Sequence, residues 1–120
     1  MGIQPTKNAH PALAYVDKKE GFRFVSLADD RGLYGAGALA EHEDCLEVHL
    51  EIFRFGPGVL RSLRADAQEL KRMARRLGKN RIVGLKVEAG PVADARWPKF
   101  TRLLGFTGQR IYQAAEMWLE

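Results

Sequence analysis

A glycine–proline–glycine turn between a strand and a long helix constrains the fold of this chain most. The turn lies in residues 53–63, which read FRFGPGVLRSL. Before it, residues 45–53 alternate apolar and polar side chains with the two-residue period of a strand. After it, residues 59–77 repeat apolar side chains at three- and four-residue spacing, which predicts one helix. Residues 81–88 (RIVGLKVE) read as a buried strand, so the strand–helix–strand order predicts a parallel pair with a right-handed crossover.

Two further strands are predicted before this unit, at residues 22–30 and 33–40, with a turn between them. Residues 1–10 look irregular, and residues 11–19 predict a short helix. Two elements are predicted to follow the crossover, a helix from Asp94 to Leu104 and a strand over residues 109–119. The order predicts a single α/β domain over residues 1–120, with an antiparallel meander that leads into the parallel crossover and with helices flanking the mixed sheet.

The composition is typical of a soluble globular domain, with 120 residues of which 46% are hydrophobic and 28% charged. No apolar run reaches the roughly 18–20 residues of a membrane span, and no signal peptide opens the chain. Cys45 is the only cysteine, which excludes a disulfide framework and a cysteine metal cluster. We therefore expect a cytoplasmic protein that does not bind a membrane.

The chain is basic, with a net charge of +4 and a pI of about 9.5. Its excess of positive charge is concentrated between Arg54 and Arg81. This excess would face the phosphates of a nucleic acid, the phosphates of a cofactor, or only water. Binding of single strands uses exposed aromatic side chains among the basic ones, whereas the aromatic residues here occupy apolar positions. A nucleic acid is therefore disfavoured as a partner.

This order of elements, with its glycine turn, resembles the GNAT (general N-acetyltransferase) superfamily. Residues 47–87 resemble the cofactor-binding core of that family, and residues 95–106 (ARWPKFTRLLGF) match its common helix ending in Leu-Gly-Phe. The resemblance covers residues 22–120 and is strongest to short, phage-encoded members. It implies an acetyl-CoA-dependent N-acyltransferase that transfers an acetyl group to the amine of a small molecule or a peptide.

The resemblance also implies where acetyl-CoA would bind. In that family the turn and the start of the helix hold the pyrophosphate, for which the N-terminus of a helix is suited physically. The glycines would let the backbone approach closely, and an arginine would reach the phosphates. Asp94 stands where many members have an asparagine for the pantetheine arm. The expected cofactor-binding residues are Phe53, Arg54, Gly56, Gly58, Val59, Leu60, Arg61, Arg64 and Asp94.

Transfer of an acetyl group to an amine needs a base, and a donor for the developing oxyanion. Glu47, His49 and Glu51 share one face of the strand, so we expect Glu47 or His49 to be the base, either directly or through a water. The alternative is that this face is the solvent side of the sheet. Tyr112 is the candidate acid or else a core residue. We expect no metal, because residues two apart on a strand lie about 7 Å apart and a second ligand cluster is missing.

Two departures from the family pattern favour a second hypothesis. The family's glycine signature fits the turn in neither register, and Pro57 removes one N–H donor. Thr101 stands where many members have a tyrosine acid. The alternative is a non-catalytic GNAT-fold binding or assembly protein. With about 21 residues before the first strand, the acceptor side is either open or completed by a second copy in a homodimer.

Overall fold

The computed structural model describes residues 2–17, 20–86 and 94–110, together with residues 115, 117 and 119. The chain divides into two compact units, residues 1–87 and residues 88–120. Most of the strand predicted over residues 109–119 falls outside the described residues, and Gln109 and Arg110 are not part of a strand.

The first unit is built on one five-stranded sheet with the strand order β1-β2-β3-β4-β5. The strands are β1 (Gly2–Thr6), β2 (Phe22–Asp29), β3 (Gly32–Glu41), β4 (Cys45–Ile52) and β5 (Arg81–Gly84). The first four strands pair antiparallel, and β4 pairs with β5 in parallel. The helices are α1 (Ala14–Asp17), which follows a 3-10 turn at Pro11–Leu13, then α2 (Pro57–Arg76) and α3 (Trp97–Leu103). The predicted mixed sheet with a parallel crossover is thus confirmed.

The irregular start predicted for residues 1–10 is wrong, because Gly2–Thr6 form β1 at the edge of the sheet. β1 pairs with β2 from Gly2 opposite Ala28 to Thr6 opposite Phe24. Ile3 packs against the hydrophobic core. Pro5 hides this strand in the sequence, but an edge strand tolerates proline because one side of its ladder needs no N–H donor.

Helices or turns cover both faces of the sheet. On one face, α2 contributes Leu70 and Ala74 to a core that it shares with three strands, whose buried members are Val25, Leu39, Leu46 and Val48. On the other face, Leu13 and Val16 from the start of the chain pack against Ala36 and Ala38 of β3. The second cluster means that the short N-terminal helix shields part of the sheet from water.

The predicted ends of α2 are close to those observed. The helix begins at Pro57, two residues before the predicted start, because proline fits the first turn of a helix. It ends at Arg76, and Gly78 follows with a φ of +77°. No helix in the described part of the chain is long and apolar enough to cross a membrane.

The second unit contains α3, which begins at Trp97 and not at Asp94 as predicted. The carboxylate of Asp94 accepts a hydrogen bond from the backbone N–H of Arg96 at 2.9 Å, so it stabilises the turn just before the helix. Thr101 is buried and donates its hydroxyl to the carbonyl of Trp97, which is a structural contact. The predicted end of the helix is confirmed by Gly105, whose φ is +100°.

Candidate functional site

The parallel pairing of β4 and β5 stops halfway along β4. The paired segment runs from Cys45 opposite Arg81 to Val48 opposite Gly84. One further hydrogen bond joins the N–H of Leu85 to the carbonyl of Val48 at 3.0 Å. β4 continues to Ile52, and within the described residues no part of β5 pairs with its last four residues. Among the described residues, this side of the strand therefore has no partner just before the glycine turn.

The glycine turn leaves the start of α2 without a side-chain cap. Gly56 occupies the N-cap position with a φ of +133°, which favours glycine strongly, and no acidic residue lies in the first turn. Pro57 has no N–H, and the N–H of Leu60 already donates to the carbonyl of Gly56 at 3.0 Å. The N–H groups of Gly58 and Val59 are thus the remaining first-turn donors.

The backbone of this turn is also open to approach. A Cβ atom built on Gly56 or Gly58 would meet no atom within 4 Å. Arg61 and Arg64 are exposed on the following turns, whereas Val59 is buried and Leu60 is half-buried. An anion such as a diphosphate would therefore find two N–H donors, the positive end of α2 and a nearby guanidinium.

Arg54 contacts the protein itself at this end of the sheet. Its Nη2 donates to Asp29 Oδ1 at 2.6 Å and to the carbonyl of Gly32 at 3.1 Å, and its Nε donates to the carbonyl of Leu33. The hydrogen bond from Arg54 holds the pKa of Asp29 below its usual range. Arg54 therefore anchors the turn, so any contribution it makes to cofactor binding is indirect.

The backbone N–H of Phe53, which directly follows β4, already has a partner. It donates to the carbonyl of Tyr34 at 2.8 Å. The irregularity in this region lies in β3, where Tyr34 is the extra residue between the pairs Leu27–Gly35 and Ala28–Leu33. The Tyr34 carbonyl, at the bulge, therefore accepts the hydrogen bond of the Phe53 N–H, which is not available to a ligand.

An open cleft of about 530 Å³ lies beside the turn and the first half of α2. Its lining includes Asp29, Arg54, Gly56, Gly58, Arg61 and Asp66. Two of the carboxylates are engaged, since Asp29 pairs with Arg54 and Asp66 accepts the buried hydroxyl of Tyr34. The cleft has room for a ligand next to the N–H groups of Gly58 and Val59, which have no hydrogen-bond partner among the described residues.

A chain of hydrogen bonds runs along the opposite face of β4. Glu47 Oε1 is 2.7 Å from Nε2 of His42, and Glu47 Oε2 is 2.5 Å from Nε2 of His49. Nδ1 of His49 is 3.1 Å from the hydroxyl of Tyr15 on α1. An ionised Glu47 accepts from Nε2 of both imidazoles, and in the tautomer of His49 with its proton on Nε2, Nδ1 accepts the Tyr15 hydroxyl. His49 is only 3% exposed, whereas Tyr15 is 37% exposed and forms the accessible end.

The protonation states of Glu47 and Tyr15 agree with this arrangement. Burial opposes the ionisation of Glu47, but the hydrogen bonds from His49 and His42 outweigh it and lower the pKa of this carboxyl. Burial raises the pKa of the Tyr15 phenol, and the negative charges of Glu51 and Glu47 raise it further. Glu47 is therefore a carboxylate and Tyr15 a protonated donor at neutral pH.

The structure thus brings Glu47 and His49 together, as the two-residue spacing predicted. The alternative of a solvent-facing strand is wrong at His49, because α1 and its preceding turn cover this position. Tyr15 was missed, because the sequence does not reveal where a four-residue helix docks. Tyr112 lies outside the described residues. No cluster of three or more His, Cys, Asp or Glu side chains suited to a metal occurs within the described residues.

Comparison with known proteins identifies the fold. No model of a known protein family matches the chain, and no curated protein matches it in sequence. It is similar to a solved ribosomal-protein-alanine N-acetyltransferase from Brucella melitensis biovar Abortus 2308, with 10% identity, a TM-score of 0.59, and coverage of 86% of this chain and 73% of the other.

Two solved aminoglycoside acetyltransferases are also similar. One, from an uncultured soil metagenomic sample and in complex with sisomicin, has 12% identity and a TM-score of 0.58, over 91% of this chain and 73% of that one. The other, in complex with CoA, has 9% identity and a TM-score of 0.58, over 87% of this chain and 82% of that one. Similarity at this level of identity shows the fold alone.

Proposed function

Because the chain has the fold of the GNAT acetyltransferases, we propose that it is an acetyl-CoA-dependent N-acyltransferase that acts on an amine. The observation that carries the proposal is the hydrogen-bonded chain Glu47–His49–Tyr15 on β4. The glycine turn after this strand leads into α2, whose start has no side-chain cap and suits an anion. A proton acceptor and an anion site on one strand are what such a reaction requires.

The turn would hold the cofactor through its pyrophosphate. The N–H groups of Gly58 and Val59 would donate to phosphate oxygens, and Arg61, which lines the cleft, would add a charged fork of donors. Gly56 keeps the backbone open, and Arg54 fixes the position of the turn through Asp29. Acetyl-CoA, when bound, supplies the acetyl group as a thioester. Asp94, which lies in the second unit, stays a prediction for the pantetheine arm.

The Glu47–His49–Tyr15 chain would remove the proton from the amine. The protonated amine gives one proton to the Tyr15 oxygen while the Tyr15 hydroxyl proton moves to Nδ1 of His49. The imidazolium that results is stabilised by the carboxylate of Glu47, which accepts the hydrogen bond from Nε2. A neutral amine is thereby left to attack a carbonyl carbon. His49 is too buried to meet the amine itself, so the exposed phenol makes that contact.

Calorimetry with acetyl-CoA tests the proposal. We expect micromolar affinity, and we expect Gly58→Glu to abolish it because a carboxylate in the turn repels a diphosphate. Dephospho-CoA serves as the ligand control. If binding is present, Glu47→Gln and His49→Ala are expected to abolish transfer in a screen of small amines and peptides without changing cofactor affinity. No binding at millimolar acetyl-CoA would overturn the proposal.

A non-catalytic GNAT-fold binding protein is the second candidate. It is favoured by the shortage of free donors at the strand end, where the Phe53 N–H is bonded and Pro57 has none. Such a protein would fail to bind acetyl-CoA and would be recovered with a protein partner. The acceptor, a homodimer, a cytoplasmic location and a phage origin all stay predictions.

A further inference from the structure

One face of α2 carries two groups of cations, which we together call the basic stripe. The basic stripe consists of Arg61, Arg64, Lys71, Arg72, Arg75 and Arg76. At 3.6 residues per turn these positions fall within about 140° of the helix circumference, and at 1.5 Å per residue they extend over about 22 Å. Leu63, Leu70 and Ala74 lie on the opposite face and are buried in the protein core.

The basic stripe is poorly neutralised by the protein. Glu69 pairs with two of these cations, Arg72 at 2.8 Å and Arg76 at 3.3 Å. Within the part of the chain that the structure describes, the other four cations have no ion-pair partner, namely Arg61, Arg64, Lys71 and Arg75.

The like charges also work against the helix that carries them. Arg61 and Arg64 are three residues apart, and Lys71 and Arg75 are four apart, spacings at which like charges face each other and destabilise a helix. A polyanion that lies along the face would remove this repulsion. Five of the six cations are arginine, whose planar fork suits phosphate oxygens.

We propose that the basic stripe binds the phosphate backbone of a double-stranded nucleic acid, a binding function other than acetyl transfer that shares Arg61 with the proposed cofactor site. The length of about 22 Å corresponds to about six base-pair steps at 3.4 Å each. A duplex requires only phosphate contacts, so this site needs no aromatic side chains on which bases stack. Phe53 and Phe55 are exposed, but they precede α2 and are not part of the basic stripe. An anionic membrane is the less favoured partner, because a helix that lies on a membrane inserts apolar side chains, and those of α2 are buried.

Binding to 20-base-pair DNA and RNA duplexes, followed by fluorescence anisotropy from 50 to 200 mM salt, tests this proposal. Four unpaired cations predict a log–log slope of affinity against salt of about −3.6 for B-form DNA. In Lys71→Gln/Arg75→Gln, which removes two of them and leaves the glycine turn intact, we expect the slope to fall to about −1.8. We also expect at least a tenfold loss of affinity at 50 mM salt. The two duplexes distinguish DNA from RNA as the source of the phosphates.

The matched control is Lys7→Gln/Lys99→Gln, which removes the same charge at two exposed positions that are not part of α2. We expect less than a threefold loss of affinity in the control, with folding of both variants checked by circular dichroism. The proposal is overturned if the control weakens binding as much as the stripe variant does, or if the protein does not bind either duplex at 50 mM salt. It is also overturned if anionic vesicles bind through the basic stripe while duplexes do not. Acetyl-CoA affinity, measured in parallel, tests the proposed function separately.

Discussion

The guanidinium of Arg54 lies 2.6 Å from Oδ1 of Asp29 and ties the segment after β4 to the end of β2. Arg54 also donates to the carbonyls of Gly32 and Leu33, so it spans the whole β2–β3 turn. The glycine turn begins two residues later, at Gly56. The orientation of a candidate anion site therefore depends on a contact outside that site.

We expect Asp29→Asn to lower the melting temperature at pH 7, because Arg54 loses a charged partner. Its hydrogen bond to Asp29 lowers the pKa of this carboxyl in the folded protein. The stabilisation is therefore present above the unfolded value of about 3.9 and is lost as the pH falls through the folded value. Thermal unfolding should show a difference from the wild type at pH 7 that disappears in acid. Asp30→Asn, at the exposed neighbour, is the control, and an equal effect of the two variants would contradict this account.

Tyr34→Phe is expected to destabilise the fold by about 1–3 kcal/mol at pH 7, because it leaves the buried Asp66 carboxylate without its donor. Burial raises the pKa of Asp66, although the Tyr34 hydroxyl works against this. The folded state therefore takes up a proton more readily than the unfolded state, and the penalty should shrink as the pH falls through the folded pKa of Asp66. Urea unfolding of the wild type and the variant at pH 7 and pH 4.5 measures this loss of stability. An equal loss of stability at both pH values would show that the effect of the variant does not depend on the charge of Asp66.

Much of the fold could be predicted, because its strongest signals are local. The alternation in β4 and the apolar spacing in α2 fixed both elements, and the crossover between parallel strands followed from their order. β1 was missed because Pro5 breaks the local pattern. Its pairing with β2, from Gly2 opposite Ala28 to Thr6 opposite Phe24, depends on residues far away in the sequence, which no local rule supplies.

The site could be predicted only in part, for a similar reason. Glu47 and His49 were found because residues two apart on a strand share a face. The burial of these two side chains could not be predicted, because it requires α1 to dock over β4. Tyr34 illustrates the same limit, because no local pattern reveals that this tyrosine is fully buried and donates its hydroxyl to Asp66.

Under the proposed function, Tyr15→Phe should affect proton transfer and leave cofactor binding intact. It removes only the accessible hydroxyl, so we expect acetyl-CoA affinity to be unchanged and kcat to fall about 100-fold. His42→Gln is the control at the other end of the chain, where Glu47 still accepts from His49. We expect a loss below tenfold for His42→Gln. Steady-state kinetics with one amine acceptor makes the comparison, and equal losses in the two variants would indicate that Tyr15 acts only through the fold.

Two glycine-to-alanine changes should have opposite effects on stability. A Cβ on Gly35 would lie 2.8 Å from the backbone oxygen of Glu51 and 3.1 Å from Cδ1 of Ile52, so Gly35→Ala must push β3 and β4 apart. Gly58 has no atom within 4 Å of that position and lies in the first turn of α2, so Gly58→Ala should raise the free energy of unfolding by about 0.4–1 kcal/mol.

The same Gly58→Ala variant should bind acetyl-CoA more weakly, because the added methyl group blocks close approach to the N–H donors of the turn. Urea unfolding and calorimetry on one preparation measure both quantities. A site kept open for a ligand predicts higher stability together with lower affinity, since the glycine then serves binding at the expense of the helix. Higher stability with unchanged affinity would instead mean that the glycine at this position only forms the turn.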